Sequence, residues 1–573
     1  MLTPDDHERL VRWVDDDLAD IDDAEMIREA RSLLEGSGIA ASGLSVKQAF
    51  IEAFFSRDRV QAAFAEMVDP KAILRRRRML REPLPTLDGL MILAPDPFSR
   101  GQLERAAALA HAALHLRTSE PERHSGILGT TLIPGPDADH IVEAQDPVSV
   151  AVLADGRPYL ISAASRSSLE ELQAALAAIL SDAPGRSPSE PLRVLTSATR
   201  PTCHALRARL LSEPENARAI AAIEGALFVL CLDSGSPSPA SSASLATAAC
   251  GIHCRRENRW YGAPQIIVDA QGHAGVSVGY TRGAFAAQCI SFGEALFSRS
   301  RDAVLSSPGA GRPGLPDPID TLSLRCSEDE PLLLAGEAEA AAAFHSEAPI
   351  FSLAVDWAWF KAAGFSPNAA LQYLLILAAH DTWGGETPPT LTHAVVKSGQ
   401  GSSLDWILAP THGLRELRGD WLRRACSDER LLSRFRAFAA RLAAKVDACR
   451  REPSPALLFS KPTLGSDERL LRLFLRAAEQ YDSGYRGYLF RATRAPGTID
   501  LVTSTLSLPI NVPYMGRPGA TTLGGARLGL HILPRERTTE FIYIPHPRHS
   551  GDLPRFHARL EYWLGELTRV LRI

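Results

Sequence analysis

Between Ala226 and Thr281 the chain has little choice but to build a sheet with a tight return in it. Leu227 to Leu232 is a short apolar run of β formers closed by Asp233, which reads as a buried strand. A Ser- and Pro-rich loop follows, then Glu257-Asn-Arg-Trp-Tyr-Gly, then two further strand-like runs, Ile266–Val268 and Val276–Val278. Gln271-Gly272 supplies the turn between them. The second run carries the chain to Gly279-Tyr280-Thr281.

The chain's 573 residues exceed what one small core needs, so two large domains or an intimately paired double domain is expected. With 45% hydrophobic and 23% charged residues it has the make-up of a globular protein. A net charge of −5 argues against nucleic acid as a partner. The run Arg75–Arg78, extended by Arg81, reads as a solvated face. The first residues are acidic and lack an apolar core, so neither a leader nor a membrane span is expected. Eight cysteines in a chain of this length suit a reducing cytoplasm. Cys250 and Cys254 flank His253 without a second ligand pair, so they are read as ordinary thiols and no metal site is expected.

From Pro4 to about Met91 the apolar spacing is helical. Gln102 to Leu116 is an Ala-rich helix. Val148–Leu153 and Pro158–Ile161 are strands around the hairpin signal Asp155-Gly156. Ser168-Leu-Glu-Glu171 is a capping box that opens a helix to Leu180. Leu192–Ser197 reads as a strand, with a helix after it to Leu211. The Pro-, Gly- and Ser-rich stretch from Ser306 to Pro318 is the best linker. Beyond it come helices at Glu337–His345, Pro367–His380, Arg430–Arg450 and Asp467–Tyr481, and a terminal one at Leu553–Val570. Strands are expected at Phe351–Val355, Gly487–Phe490, Leu530–Leu533 and Phe541–Ile544. Strands mixed with helices make this an α/β (α+β) chain.

Leu195-Thr-Ser197, Val229-Leu-Cys-Leu-Asp233, Asn258-Arg-Trp260 and Ala274-Gly275 stand in an order that resembles the choline/carnitine acyltransferase family. Phe365-Ser-Pro-Asn-Ala-Ala-Leu-Gln372, Val502-Thr-Ser-Thr-Leu506 and Leu528–Pro534 extend the likeness. The resemblance implies two chloramphenicol-acetyltransferase-like halves packed face to face around a central tunnel, entered by thioester and acceptor from opposite ends. It implies an N-terminal helical segment at 1–85, a first half at 86–345 and a second at 346–573.

The family's reaction moves an acyl group from a thioester to a hydroxyl. A histidine base takes the hydroxyl's proton, and an acid four residues later holds its ring. Here those places fall on Tyr280 and Ala284. A phenol with a reference pKa of about 10 is a weak base at neutral pH, but it can donate a hydrogen bond. The family's Ser-Thr-Ser corresponds to Thr503-Ser504-Thr505, with Thr505 at the oxyanion-stabilising place. Its acceptor-binding Gly-Arg-Thr segment falls on Gly399-Gln400-Gly401-Ser402. The carboxylate-binding arginine has no counterpart, and of the phosphate-binding lysine cluster only Lys361 precedes Ser366-Pro367-Asn368.

The expected catalytic residues are therefore Tyr280, Thr505 and Ser504, with His412 as a substitute base if Thr411–Glu416 is helical. Thr503, Arg282, Gln400, Ser402, Asn368 and Lys361 are the expected substrate-binding residues. His531 and His273 are read as structural. Two function classes fit. One is a diverged transferase or condensing enzyme of specialised metabolism, using an acyl thioester on coenzyme A or on carrier-protein pantetheine. Its acceptor would be an amine or hydroxyl other than carnitine, and it would hold no tightly bound cofactor. The partners would be a small-molecule acceptor and, for the pantetheine donor, an acyl carrier protein. The other class is an inactive binding module for an acyl chain or a protein.

Overall fold

The computed structural model describes residues 88–98, 101–120, 127–135, 139–144, 148–162, 168–189, 192–235, 258–279, 285–306, 318–325, 352–356, 358–384, 390–398, 401–408, 413–449, 501–505, 514–516, 528–534, 538–545 and 551–571. One unit of the chain holds Ile73–Ser352 with Ser507–Thr521; the other holds Met1–Ala72, Leu353–Leu506 and Thr522–Ile573. The described elements begin with β1 (Asp88–Leu93), α1 (Gln102–Ser119), β2 (Thr130–Ile133), β3 (His140–Glu143), β4 (Val150–Ala154), β5 (Arg157–Ile161) and α2 (Leu169–Asp182). They continue with α3 (Leu192–Leu195), α4 (Arg200–Leu210), α5 (Pro214–Glu224), β6 (Val229–Asp233), β7 (Gln265–Asp269), β8 (Ala274–Gly279), α6 (Phe285–Ser306) and β9 (Ile319–Thr321). Next come β10 (Ser352–Asp356), α7 (Ala358–Ala362), α8 (Pro367–Trp383), β11 (Thr390–Ser398), β12 (Gly401–Leu408), α9 (Leu414–Arg423) and α10 (Asp428–Cys449). The last are β13 (Leu501–Thr505), β14 (Tyr514–Gly516), β15 (Leu528–Pro534), β16 (Thr538–Pro545) and α11 (Leu553–Leu571).

The first unit is organised on a sheet of order β14-β1-β8-β7-β6-β4-β5-β9. Its centre, β4-β6-β7, is parallel. The pairs on either side, β7–β8, β8–β1, β1–β14, β4–β5 and β5–β9, are antiparallel. The central strands β4, β6, β7 and β8 are buried at every residue. That is why they read as unbroken apolar runs rather than alternating ones: both faces are covered. α1 packs against α2, α6 and β7. Its alanines Ala106, Ala107, Ala108, Ala110, Ala112 and Ala113 are all buried and keep the backbones close. The buried Arg105 of α1 pairs with Asp96 at 3.0 Å and donates to the Ala94 carbonyl at 2.9 Å.

Local signals are realised where the chemistry is local. Asp155 and Gly156 adopt φ of 47° and 77°, the two positive values that a two-residue hairpin turn requires. The Ser168 hydroxyl accepts the Glu171 N–H at 3.2 Å, and the Glu171 carboxylate accepts the Ser168 N–H at 2.7 Å. Ser168→Ala is expected to cost about 1 kcal/mol in a urea melt, the usual worth of such a cap. An unchanged midpoint would show that the α2 cap carries no net stability.

Two expectations are corrected. Leu192–Ser197 is not a strand: α3 covers Leu192–Leu195 and a turn follows. Leu192 and Leu195 are three residues apart and both buried, as one face of a helical turn requires. The helical pattern before Met91 also ends early, because Asp88–Leu93 pairs with β8 as β1. The helices expected at Glu337–His345 and Asp467–Tyr481, the strand at Gly487–Phe490, and Cys250, His253 and Cys254 lie outside the described residues.

The second unit has a sheet of order β10-β16-β15-β13-β11-β12. β13 runs parallel to β11 and to β15, while β11–β12 and β15–β16 are antiparallel. The helix α8 is buried without interruption from Ala369 to Ala379 and packs against α10 and α11. In α11 the buried Leu553, Phe556, Leu560, Trp563, Leu564, Leu567 and Val570 recur every three or four residues. Asp381 ties the helices together: its carboxylate accepts from Arg418 Nε at 2.6 Å and from Trp563 Nε1 at 3.0 Å. Trp383 stacks on Phe556 at 5.6 Å between centroids and donates to Asp552 at 3.0 Å. No helix among the described residues is long and apolar enough to cross a membrane.

Candidate active site

Within the first unit, the segments Leu195–Ser197, Val229–Asp233 and Asn258–Trp260 that carry the resemblance are held together by hydrogen bonds among themselves and their neighbours. Asp233, the last residue of β6, is 1% exposed and receives Arg259 on both oxygens, Nη1 to Oδ1 at 2.9 Å and Nη2 to Oδ2 at 2.8 Å. Asn258 donates to the Leu232 carbonyl at 2.9 Å and to Asp233 Oδ1 at 2.7 Å. Its own Oδ1 accepts the Gly156 N–H at 2.8 Å, which joins the β4–β5 turn to the same knot. Gln102 at the start of α1 donates to the carbonyls of Asp233 and Val268, both at 2.9 Å. Burial alone would lower the Arg259 pKa, but the opposite charge of Asp233 and its hydrogen bonds outweigh that and hold it above the ordinary value. Burial pushes the Cys231 thiol up to about 12, so it stays protonated and unreactive. These groups hold one another and brace the end of β6 against the β4–β5 turn and the start of α1.

From this frame a short loop reaches the end of β8. The Trp260 N–H donates to Gln265 Oε1 at 2.8 Å and the Tyr261 N–H to Thr196 Oγ1 at 2.9 Å. Gly262 follows with φ of +94° and accepts the Leu132 N–H at 2.9 Å, which fastens the loop to β2. A Cβ on Gly262 would collide with the Leu132 carbonyl oxygen. On the far side, a Cβ on Gly279 would lie 2.9 Å from the Gly262 oxygen and 3.1 Å from its Cα. Backbone therefore packs on backbone at the last residue of β8, directly before position 280. Tyr280, Arg282 and Ala284 themselves lie outside the described residues. At the other end of β8, Asp269 accepts the N–H groups of Gln271 and His273 and meets His273 Nδ1, each at 2.9 Å. His273 stands just before β8 and Gly279 ends it, roughly 20 Å away at strand rise. His273 belongs to its turn.

In the second unit Thr503, Ser504 and Thr505 occupy β13, in the middle of the parallel part of the sheet. Thr503 is level with Thr392 and Leu530, Ser504 with His393 and His531, and Thr505 with Ile532. Alternation places positions 503 and 505 on one face of the strand and 504 on the other. Ser402 stands on β12 opposite Lys397. The connection from Ser398 to Gly401 is two residues long, and its Gln400 lies outside the described residues. His412 lies outside them too. The helix α9 starts at Leu414 behind Gly413, whose φ is +76°.

Lys361 is exposed on α7, and its carbonyl accepts the Gly364 N–H at 3.0 Å. Asn368 is the second residue of α8 and accepts from Gln372 Nε2 at 3.3 Å. Arg436 of α10 joins this corner by donating to the Ala363 carbonyl at 3.1 and 3.2 Å. Sequence reasoning passed over Arg436 and His393, because Arg436 comes to this corner, and position 393 to the level of Ser504, only through pairing between distant parts of the chain. No cluster of three or more His, Cys, Asp or Glu residues suited to a metal occurs among the described residues.

Several solved structures resemble the chain at low sequence identity. A wax ester synthase/diacylglycerol acyltransferase from Marinobacter aquaeolei VT8 is 13% identical, over 85% of this chain and 94% of that one, with a TM-score of 0.29. The epimerization domain of the third module of tyrocidine synthetase B is 8% identical, over 90% and 96%, with a TM-score of 0.34. The starter condensation domain of rhizomide synthetase, solved with C8-CoA and Leu-SNAC, is 10% identical, over 89% and 93%, with a TM-score of 0.36. The model of the Choline/Carnitine o-acyltransferase family matches residues 80–449, well over half of the 573. The matched part contains the whole Asp233–Arg259 frame and β8. The chain belongs to the choline/carnitine O-acyltransferase family.

Proposed function

We propose that this protein transfers an acyl group from a thioester, on coenzyme A or on carrier-protein pantetheine, to an amine or hydroxyl acceptor other than carnitine. The observation that carries the reading is a contrast. The family's frame of Asp233, Asn258 and Arg259 is intact, yet Tyr280 and Ala284 stand where the family keeps its base and that base's acid. An amine attacks a thioester carbonyl without prior loss of a proton, so an amine acceptor reduces the demand for a base. Tyr280 and Thr505 would then polarise the carbonyl, and holding the two substrates together would supply much of the rate. Gln400 and Ser402 are assigned to the acceptor, and Thr503 and Arg282 to substrate binding. Lys361 and Asn368 are assigned to the donor, with Arg436 as a further cation in their corner. His412 would serve a hydroxyl acceptor as the alternative base.

The test is a panel of acyl thioesters on coenzyme A and on carrier protein, offered with amine and hydroxyl acceptors and followed by intact-mass spectrometry. Thr505→Ala is expected to lower kcat about 100-fold, as loss of one oxyanion donor does elsewhere. Tyr280→Phe is expected to lower it as well. Turnover unchanged by both substitutions would remove the site. No turnover with any donor would favour a binding module that has kept the frame and lost the chemistry.

A further inference from the structure

One helix of the second unit carries a run of like charge that its own sequence does not balance. From Arg430 to Ala444, α10 holds four arginines and no acidic residue, in a chain whose net charge is −5. A solvated helix face ordinarily mixes the two signs at spacings of three and four, where they stabilise each other. The buried Leu431, Phe435, Phe438, Ala439 and Leu442 fix the inner face of α10, which packs against α8, α9 and α11. The centre of the outer face is small and exposed, at Ala437, Ala440 and Ala444. Helical spacing sets Arg430, Arg434 and Arg441 along one flank of that strip and Arg436 on the other. Arg434 pairs with Asp420 of α9 at 2.5 Å, whereas Arg430 and Arg441 meet no carboxylate among the described residues. Two rings hold arginines in place: Arg441 lies over Phe438 at 4.5 Å and Arg436 over Phe365 at 5.6 Å. Side chains already held this way lose little freedom when a partner arrives. Arg436 also donates to the Ala363 carbonyl near Lys361, so the face runs into the corner assigned to the donor.

From this face we propose that α10 docks an acyl carrier protein, whose acidic helix lies along the alanine strip between the arginines. The proposal rests on the thioester-donor reading above and adds where a protein-borne donor is held. Alanines let a second helix approach closely, since the distance between packed helices follows the side chains at the contact. Acidic side chains of that helix then reach arginines on both flanks, which speeds encounter and fixes register. A carrier protein also tethers its acyl group through a phosphodiester, one more negative charge delivered toward Lys361 and Arg436. A membrane surface fits less well. A helix that lies on lipid sets large apolar residues beside its basic ones, and here the exposed strip is alanine. None of the site residues expected from the sequence lies on α10. Small thioesters, which bring no helix, have no need of this face.

The full chain is titrated against a fluorescently labelled, acidic acyl carrier protein bearing an octanoyl group on its phosphopantetheine arm, and anisotropy is read. Binding is expected, and it should weaken about 10-fold as salt rises from about 50 to about 300 mM. Arg430→Glu with Arg441→Glu is expected to weaken it about 10-fold at low salt, and Arg430→Gln with Arg441→Gln by less. Both side chains are exposed, so the melts of these variants should match the wild type. In the thioester panel, the charge-reversed variant should raise KM for the carrier-bound donor and leave turnover of octanoyl-N-acetylcysteamine unchanged. Carrier-protein binding that is absent, or that charge reversal leaves unchanged, would overturn the docking face. Turnover of the small thioester would then leave the acyl-transfer reading standing. Binding to vesicles of phosphatidylcholine and phosphatidylglycerol in place of the carrier protein, lost in the same variant, would make the face a lipid contact and overturn the proposal too. Turnover with no donor of any kind would count against the proposed function, whereas the face stands or falls on the binding.

Discussion

Arg259→Ala is expected to destabilise the unit built on the first sheet by about 3–5 kcal/mol, the usual cost of removing one partner of a buried ion pair. The cost arises from what is left behind. Asp233 would keep its charge at 1% exposure, with two of its hydrogen bonds gone and Asn258 as the nearest remaining donor. Asp233→Ala should cost a similar amount, because it strands the guanidinium. Replacing both together, Asp233→Leu with Arg259→Met, should cost much less than the sum, since no unpaired charge remains. Urea melts of the four proteins, followed by tryptophan fluorescence, decide the matter. Additive losses would show that the pair acts only as packing. The interaction should not depend on pH over the working range. The Arg259 pKa is raised on folding, so its contribution is complete at every pH below the ordinary guanidinium value and is lost only as pH climbs through the folded one. A stability that fell between pH 9 and pH 6 would need another source.

How much of this was legible in the sequence depends on how far each determinant reaches along the chain. The Asp155-Gly156 turn and the Ser168–Glu171 box were readable because every atom involved lies within four residues. The run of β6 was readable because a strand covered on both faces must be apolar throughout. Thr390–Ser398 and Gly401–Leu408 escaped, although Gly399-Gln-Gly401 between two such runs is a hairpin signal. Tyr514–Gly516 could not have been found at all: β14 is three residues long and pairs with β1 through backbone groups that any sequence supplies. The same holds for the frame. The sequence showed Asp233 and Arg259 as neighbours in a family pattern, and only the fold shows that one neutralises the other. Register is the hardest to read. That His393 lies beside Ser504 depends on the parallel alignment of β11 with β13, which no local pattern encodes.

Gly262→Ala is the substitution expected to couple stability most directly to the site. A φ of +94° strains any residue with a Cβ, at a cost of order 1–3 kcal/mol. The added carbon also collides with the Leu132 carbonyl oxygen, which is backbone and cannot rotate away. Relieving the collision means parting the loop from β2, with loss of the Leu132 N–H bond to Gly262 at 2.9 Å, worth roughly another 1 kcal/mol. A loss of about 3 kcal/mol is therefore expected in the melt. Gly279→Ala separates the two roles. Gly279 has no left-handed φ, so its penalty is the approach of the new Cβ to the Gly262 oxygen, Cα and carbonyl carbon at 2.9, 3.1 and 3.3 Å; all three are backbone, so β8 or the Gly262 loop must shift to relieve it. A smaller cost, about 1–2 kcal/mol, is expected there, since no left-handed φ adds to it. That shift falls on the residue next to Tyr280, and a small misplacement of a reacting group can cost a large factor in rate. Gly279→Ala should therefore lose more turnover than its modest destabilisation explains, measured well below its melting temperature. If turnover at that temperature matches the wild type while Gly262→Ala still unfolds early, the loop braces the fold and position 280 takes no part in the reaction.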